Sequence, residues 1–158
     1  MTGYDVMLAC RGYDRDMERL RVQAAMARDA VTRATRSAEV SGHGGGEDRI
    51  AAYAARADAL ARAMDARRAM NEMEQDAAAR LIARMETRQG QAVYLLMVRG
   101  MTVRQCAASL HTTEASVRGL RRRAREALCA LPSGMGERYG AACARYAELL
   151  REARGENG

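Results

Sequence analysis

The sequence predicts an all-α protein with a long antiparallel coiled-coil helical hairpin, a small helix-turn-helix domain and a C-terminal helix. Three observations favour helix throughout. Pro132 is the single proline in 158 residues, so long stretches carry no residue that breaks a helix. Aromatic residues, which strands favour, are limited to six Tyr. Apolar residues make up 48% of the chain, are mostly Ala and Met, and recur at helical spacing.

Residues 1–86 are expected to form the hairpin. Apolar residues in its first helix alternate in three- and four-residue steps, which is the spacing of a coiled-coil seam. They are Val6, Cys10, Tyr13, Met17, Leu20, Ala24, Ala27, Val31, Ala34 and Ala38. The glycine-rich stretch 41–48, SGHGGGED, ends this helix and is predicted to form the tip. A short tip between two long helices favours antiparallel packing.

The second helix of the hairpin is predicted to start near Asp48, whose side chain is expected to cap it. Its apolar positions include Ile50, Tyr53, Ala57, Leu60, Met64, Met73, Ala77, Leu81 and Met85. Near Arg67, Arg68 and Asn71 the pattern is interrupted, which indicates a stutter or a local skip. An Ala-rich seam buries little area per residue, so we expect the hairpin to form a homodimer or to pack against the C-terminal part.

The middle segment, residues 87–131, is predicted to form three helices separated by short turns. Its capping and stop residues are Thr87, Gly100, Thr102, Gln105, Leu110 and Thr113. Threonine caps a helix start, glycine accepts the left-handed conformation at a helix end, and Thr102 with Gln105 has the capping-box spacing. The third helix runs through a group of arginines to about Leu131. Two helices joined by a tight turn, the second long and basic, are typical of a helix-turn-helix.

Pro132, Gly134 and Gly136 then break the chain. Residues 132–158 are expected to form a C-terminal amphipathic helix and a polar tail. Its apolar residues at heptad steps are Tyr139, Cys143, Tyr146 and Leu150.

Positive charge is concentrated in one part of the chain. All 26 basic residues are Arg, and the net charge is +6. From Arg99 to Leu128 seven arginines face two glutamates, a net charge of +5, so the rest of the chain carries about +1. A surplus confined to one small segment indicates a polyanionic partner, here double-stranded DNA.

The stretch RGMTVRQCAASLHTTEASVRGLRRRAREAL resembles region 4 of bacterial sigma-70-type factors, the helix-turn-helix that reads the promoter −35 element. The matching positions are Gly100, Met101, Thr102, Ala107, Leu110, Thr113, Val117, Arg123, Ala124 and Leu128. The layout of residues 4–130 is also similar to phage and prophage proteins related to the ArpU and RinA late-transcription regulators. These have a heptad-rich hairpin with a glycine-rich tip, matched here by GGGEDRI, before a sigma-like domain.

The resemblance implies which side chains contact DNA. The N-terminal turn of the third helix, from Thr113 to Arg118, enters the major groove, where its free N–H groups and positive dipole end favour phosphate. The residues expected at base edges are Glu114, Ala115 and Arg118. The residues expected at phosphates are Arg104, Arg121, Arg122 and Arg125. Arg123 is expected to pack inward or to pair with Glu126.

Two positions depart from the region 4 pattern. His111 stands where the turn usually has Gly, so a histidine is expected in the left-handed conformation. Cys106 replaces a usual Ile and makes the small core thinner. Nothing resembles the sigma region that melts the −10 element, so we expect a region 4-like DNA binder in place of a complete sigma factor.

Other classes of function find no support in the sequence. No glycine-rich phosphate loop follows a strand, and no nucleophile lies beside a base, so we expect neither an enzyme nor a cofactor. The cysteines Cys10, Cys106, Cys129 and Cys143 are far apart and favour reduced thiols over a metal site. No stretch has the length of a membrane span, and the start does not resemble a signal peptide, so a cytoplasmic location is expected.

Three functions stay open at this point. The leading hypothesis is a phage or prophage regulator whose helix-turn-helix reads the major groove and whose hairpin dimerises the protein or contacts RNA polymerase. The second is a DNA-packaging subunit similar to a small terminase subunit. The third is a protein that mimics region 4 on RNA polymerase without binding DNA.

Overall fold

The computed structural model describes residues 1–42 and 46–156 and shows six α-helices within them. The helices are α1 (Gly3–Ser41), α2 (Glu47–Ala83), α3 (Thr87–Val93), α4 (Val103–Ser109), α5 (Glu114–Ala130) and α6 (Glu137–Arg154). A π-helical turn, Tyr94–Val98, follows α3 directly. The described residues form no β-strand, and one isolated antiparallel bridge joins Thr2 to Pro132. The all-α prediction is confirmed. Part of the predicted glycine-rich tip, positions 43–45, lies outside the described residues.

The chain divides into two compact units, each built from two separate stretches. The first unit comprises residues 1–13 and 71–139, and the second comprises residues 14–70 and 140–158. Because α1 and α2 each continue from one unit into the other, neither unit corresponds to a single run of sequence.

In the second unit α1 and α2 run antiparallel. The Arg67 Nε donates to the Asp16 carboxylate at 3.2 Å, which joins the start of this part of α1 to the end of this part of α2. At the opposite end, a Cβ placed on Gly46 would lie 3.2 Å from the Cβ of Ala38. Helix α6 is tied to α2 by the ion pair of Arg62 with Glu152, at 3.1 Å. The antiparallel hairpin is therefore present in this unit.

The predicted apolar face of α1 is confirmed by burial. Of its ten positions, Val6, Cys10, Met17, Leu20, Ala24 and Ala27 are buried. The remaining four, Tyr13, Val31, Ala34 and Ala38, are half-buried. Alanine dominates toward the tip, where a small side chain leaves less area to remove from water.

The predicted stutter in α2 is wrong, because the buried face continues through two charged residues. Seven buried positions follow unbroken three- and four-residue steps, and the adjacent Ala59 and Ala78 are buried as well. The seven are Leu60, Ala63, Arg67, Met70, Glu74, Ala77 and Leu81. Arg67 is 3% exposed and is paired with Asp16, and Glu74 is 1% exposed and accepts a 2.7 Å hydrogen bond from the Tyr139 hydroxyl. A buried charge is tolerated where a partner compensates its lost hydration. Tyr53 of the expected seam is exposed.

Two predicted helix caps are wrong. α2 begins at Glu47, which places Asp48 in the first turn, where its charge still favours the positive end of the helix. α3 begins at Thr87, and the capping residue is Glu86. The Glu86 carboxylate accepts from the Arg88 and Gln89 N–H groups, both at 3.0 Å. An acidic residue immediately before the threonine supplies the cap instead.

The buried face of α6 drifts from the predicted heptad positions. Tyr139 is buried as expected, but Cys143, Tyr146 and Leu150 are only half-buried. Leu149 and Ala153 are the buried residues in the C-terminal half of α6. An α-helix has 3.6 residues per turn, so a strict seven-residue repeat moves around the helix as it lengthens.

The pair of the half-buried Asp16 with the buried Arg67 generates a stability prediction. Asp16→Ala removes the carboxylate to which the Arg67 guanidinium donates, and we expect a loss of about 2 kcal/mol in the free energy of unfolding, measured in urea, which is the typical contribution of a hydrogen bond between charged groups. Glu18→Ala is the matched control, because its partner Arg21 and Glu18 itself are both exposed, and an exposed pair contributes about 0.5 kcal/mol or less. Equal losses in the two variants would contradict a structural role for the pair of Asp16 with Arg67.

Candidate nucleic-acid interface

The first unit is held together by an apolar cluster shared by several short helices. The buried residues that α3, the π-helical turn, α4 and α5 contribute to it are Ala92, Val93, Leu96, Met97, Cys106, Ala107, Val117, Leu120, Ala124 and Leu128. α4 contributes only Cys106 and Ala107, which are small, so it can lie close to α5. Burial raises the pKa of the Cys106 thiol. Ala107, one of the positions that match the region 4 pattern, is buried.

The turn before α4 has the predicted chemistry. Gly100 has a φ of +68°, a left-handed conformation that glycine adopts without steric cost. The Met101 N–H donates to the Leu95 carbonyl at 2.9 Å and closes the π-helical turn. Thr102 and Gln105 form the capping box, since each side chain accepts from the backbone N–H of the other residue. These bonds fix where α4 starts.

The turn between α4 and α5 is formed by a left-handed histidine. His111 has a φ of 50°, as predicted from its place in the region 4 pattern. The Thr112 N–H donates to the Ala107 carbonyl at 3.0 Å, and the His111 N–H donates to the Ala108 carbonyl at 3.3 Å. This pattern closes a helix end in a Schellman motif. The Arg88 guanidinium donates to the Leu110 carbonyl at 3.0 Å and ties α3 to the turn.

α5 separates an apolar face from a basic one. Its start is capped by Thr113, whose hydroxyl oxygen accepts from the Ser116 N–H at 3.1 Å. The buried positions are Val117, Leu120, Ala124 and Leu128. Four arginines at the intervening positions, Arg118, Arg121, Arg122 and Arg125, are exposed. The cap prediction for Thr113 is confirmed, and the helix ends at Ala130, next to the expected Leu131.

Four of the five exposed arginines of α5, namely Arg118, Arg121, Arg122 and Arg125, border a cleft of about 490 Å³ in the first unit. The other lining residues are Tyr4, Leu8, Arg11, Leu96, Met97, Met101, Thr102 and Val103. The lining therefore contains five guanidinium groups and no carboxylate. Apolar side chains from α1 and from the turn before α4 form the rest of the wall. Such a cleft attracts anions, because its charges have one sign and an adjoining low-dielectric wall.

Two of these arginines have partners that hold their side chains in place. The Arg118 guanidinium donates to the Glu114 carboxylate at 2.9 Å, one helical turn earlier, and both side chains are exposed. The Arg125 guanidinium lies over the Tyr4 ring, 5.1 Å from its centroid, which is a cation–π geometry. Arg118 and Glu114 are thus adjacent on the first turns of α5, where the resemblance to region 4 expects contacts to bases.

The remaining residues expected at the site lie outside the cleft. Arg104 on α4 and Ala115 on the first turn of α5 are exposed and do not line it. Arg123 is exposed, so the expectation that it packs inward is wrong. Hydrogen bonds from the backbone N–H groups of Arg88 and Gln89 lower the pKa of the Glu86 carboxyl, and the charges of Arg88 and Arg123 lower it further. Arg123 therefore lies toward the start of α3.

The sequence did not indicate two residues of the cleft, Tyr4 and Arg11. Both belong to α1, within the range predicted to form the hairpin. Tyr4, Leu8 and Arg11 are four and three residues apart, so they lie along one side of α1, and all three line the cleft. Their neighbours on α5 are more than a hundred residues away along the chain. Capping residues and apolar spacing involve near neighbours in the sequence, so they do not predict a contact between residues this far apart.

The described residues offer little basis for other kinds of site. Within residues 1–42 and 46–156, no group of three or more His, Cys, Asp or Glu side chains is placed to hold a metal ion. No helix in the same part of the chain has the length and apolar character needed to cross a membrane.

The strained turn between α4 and α5 gives a stability prediction. Replacing His111 by Gly removes a left-handed conformation that costs a side-chain-bearing residue about 1 kcal/mol or more, and part of this gain is offset by the greater freedom of glycine in the unfolded chain. We expect His111→Gly to raise the free energy of unfolding by about 0.5 kcal/mol in urea titrations. His111→Val, which is β-branched, is expected to lower it. A stabilised valine variant would show that the turn is not left-handed in solution.

The cap of α3 gives a pH-dependent prediction. The pKa of Glu86 is lowered from its ordinary value of 4.5 in the folded protein, so its charge stabilises the fold above that value, and this contribution is lost as the pH falls through the folded pKa. The melting temperature of Glu86→Gln should therefore fall below that of the wild type at pH 7 and approach it at acidic pH. Glu72→Gln, on the exposed side of α2, is the control. A difference that stays constant from pH 7 to pH 3 would contradict the assignment.

Comparison with known proteins finds a family match for part of the chain. Residues 75–128 match the family Sigma-70, region 4. No curated protein and no solved structure matches the chain. Sigma-70 region 4 is a DNA-binding helix-turn-helix, and such domains also interact with RNA polymerase. Residues 75–128, from the second half of α2 to α5, therefore form a Sigma-70 region 4-like domain, which confirms that part of the resemblance seen in the sequence.

Proposed function

We propose that the protein is a sequence-specific double-stranded DNA-binding transcriptional regulator of the phage or prophage type. The observation that carries the proposal is that four arginines of α5 stand together on its exposed face, inside the segment that matches Sigma-70 region 4. The phage assignment rests on the similarity of the hairpin and GGGEDRI motif to the ArpU and RinA regulators.

The first turns of α5 are suited to the major groove. The free N–H groups at the start of the helix and its positive dipole end lie at Glu114 and Ala115, and both side chains are exposed. Arg118 can donate two hydrogen bonds to guanine, and Glu114 can accept from cytosine, each good pair giving about 1–3 kcal/mol of discrimination. In the free protein these two side chains hold each other, so binding would exchange one charged pair for two base contacts.

Phosphate contacts supply the sequence-independent part of the affinity. Arg121, Arg122 and Arg125 follow the recognition turn along α5, and Arg104 is exposed on α4. Each neutralised phosphate releases condensed counterions, so the slope of log K against log salt steepens by about 0.9 per contact. Four such contacts would make binding strongly dependent on salt.

The hairpin would supply dimerisation. Val22 and Met26 on α1 are apolar and are 49% and 65% exposed, respectively, so they are available to a second copy of the chain. RNA polymerase is the second proposed partner, because region 4 domains interact with it. A DNA-binding protein of this kind would act in the cytoplasm. We propose no cofactor, metal or enzymatic activity.

The test uses duplexes selected from a random-sequence pool and the double variant Arg118→Ala, Arg122→Ala. We expect binding to the selected duplex to weaken by about 10- to 100-fold, because one base contact and one phosphate contact are removed. The salt slope should fall by about 1. Arg33→Ala with Arg36→Ala is the control, since it removes the same charge from the exposed surface of α1 in the second unit.

Other outcomes would identify the competing functions. Unchanged affinity in the double variant contradicts the proposal. A ring of many subunits in light scattering would favour a DNA-packaging subunit, whereas a monomer or dimer agrees with a regulator. Capture of RNA polymerase without any shift of duplex DNA would favour a region 4 mimic.

A further inference from the structure

We propose that the start of α1 is part of the DNA-binding surface, with Arg11 contacting backbone phosphate and Tyr4 positioning Arg125 for the same strand. Both residues lie outside the segment that matches Sigma-70 region 4. The inference rests on the proposed DNA-binding function and extends its surface to a helix that the helix-turn-helix does not include.

Backbone contacts fix the start of α1 beside the end of α5. The Gly3 N–H donates to the Leu131 carbonyl at 2.9 Å, and the Ser133 N–H donates to the Met1 carbonyl at 3.2 Å. A Cβ on Gly3 would lie 3.2 Å from a methyl carbon of Leu128, so the two helices approach as closely as a glycine permits. The first two turns of α1 therefore have a defined position relative to the arginines of α5.

Arg11 reaches the turn that precedes α4. A Cβ built on Gly100 would lie 3.7 Å from the Arg11 Nε and 3.9 Å from its Cγ, so the side chain rests against that turn. Its guanidinium lines the same cleft as the arginines of α5, on the wall formed by α1. Positive charge is thus present on two sides of the cleft and not on α5 alone.

Tyr4 contributes to the proposed DNA-binding surface by holding the Arg125 side chain. The guanidinium lies 5.1 Å from the ring centroid, and a tyrosine face attracts a cation at this distance. A held guanidinium loses less conformational freedom when a phosphate binds than one that is free to rotate. Tyr4 is therefore a positioning residue for Arg125.

The chemistry of the cleft favours the backbone of duplex DNA. Five guanidinium groups and no carboxylate line it, and it continues onto the exposed face of α5. Its apolar lining from Leu8, Met101 and Val103 suits the deoxyribose between phosphates. DNA presents one charge for about every 1.7 Å of helix axis. Several phosphates can therefore contact arginines on both sides of the cleft at the same time.

The experiment compares Arg11→Gln with Arg84→Gln in salt titrations of duplex binding. Arg84 is an exposed arginine of the same unit that lines a different cleft, with Pro132 and Gly134. Loss of one phosphate contact should lower the salt slope by about 0.9, which corresponds to about eightfold weaker binding at 0.1 M salt and about fourfold at 0.2 M. The loss should be equal on selected and unrelated duplexes, because phosphate contacts carry no sequence information. Arg84→Gln should leave both quantities unchanged.

Tyr4 is tested by two substitutions that separate ring chemistry from packing. Tyr4→Phe keeps the aromatic face and should bind as the wild type does. Tyr4→Leu keeps an apolar side chain without the ring and should weaken binding by about threefold, if roughly half of a phosphate contact is lost. Urea unfolding of each variant establishes that it is folded. Equal affinities for the phenylalanine and leucine variants would overturn the positioning role.

The experiments distinguish a missing contribution of α1 from a missing DNA-binding function. If wild-type protein binds duplex DNA and loses affinity in the Arg118, Arg122 double variant, but Arg11→Gln behaves as Arg84→Gln does, only the contribution of α1 is overturned. If Arg11→Gln reduces association with RNA polymerase and leaves DNA binding unchanged, the partner of this wall is a protein and the inference is wrong. If the wild type ignores DNA at low salt, both proposals fail.

Discussion

The close packing of α4 on α5 determines where the basic face of α5 lies. α4 buries only Cys106 and Ala107, and α5 faces the shared core with Val117, Leu120 and Ala124. Because small side chains let two helices approach, the turn that joins them has to be tight, and a left-handed residue at His111 supplies it. With one face of α5 fixed to the core, the intervening arginines are necessarily on the exposed face. The placement of the charges is thus a consequence of packing.

Placing several like charges on one surface has an electrostatic cost in the free protein. Part of it is reduced locally, because Arg118 is paired with Glu114 and Arg125 lies on the Tyr4 ring. Neither contact buries the guanidinium, so both groups remain accessible to an anion. The remaining repulsion is relieved when a polyanion binds, which makes affinity and salt dependence two results of the same charge distribution.

The features that the sequence predicted correctly depend on contacts between near neighbours in the chain. The capping box of Thr102 with Gln105, the Thr113 cap and the left-handed Gly100 each involve residues only a few positions apart. The cap of α3 is one residue from the predicted Thr87, because the adjacent Glu86 carboxylate accepts the free N–H groups, and Asp48 lies within the first turn of α2. Local chemistry therefore identified the elements and most of their ends.

Contacts between distant residues were not predictable in this way. The sequence predicts a break in the apolar pattern of α2 near Arg67, yet Arg67 is buried with Asp16 as its partner, and Glu74, which the apolar pattern omits, is buried with Tyr139. The partners are 51 and 65 residues away. Tyr4 and Arg11 were missed for the same reason, since they reach the site only through the approach of α1 to α5. The spacing of apolar residues along one helix indicates which face is buried. It does not indicate which charged residues are buried there with a partner from a distant part of the chain.

The exclusive use of arginine has different consequences at different positions. Arg67 is enclosed, and a delocalised, weakly hydrated guanidinium is better suited to such a position than an ammonium group. Arg125 uses its planar face on Tyr4, and Arg88 uses a directed N–H on the Leu110 carbonyl. Arg121 and Arg122 have no such geometric demand on the exposed side of α5, where a lysine would supply the same point charge. Burial therefore distinguishes Arg67, which belongs to the interior, from the exposed arginines of α5, whose guanidinium groups remain accessible to an anion.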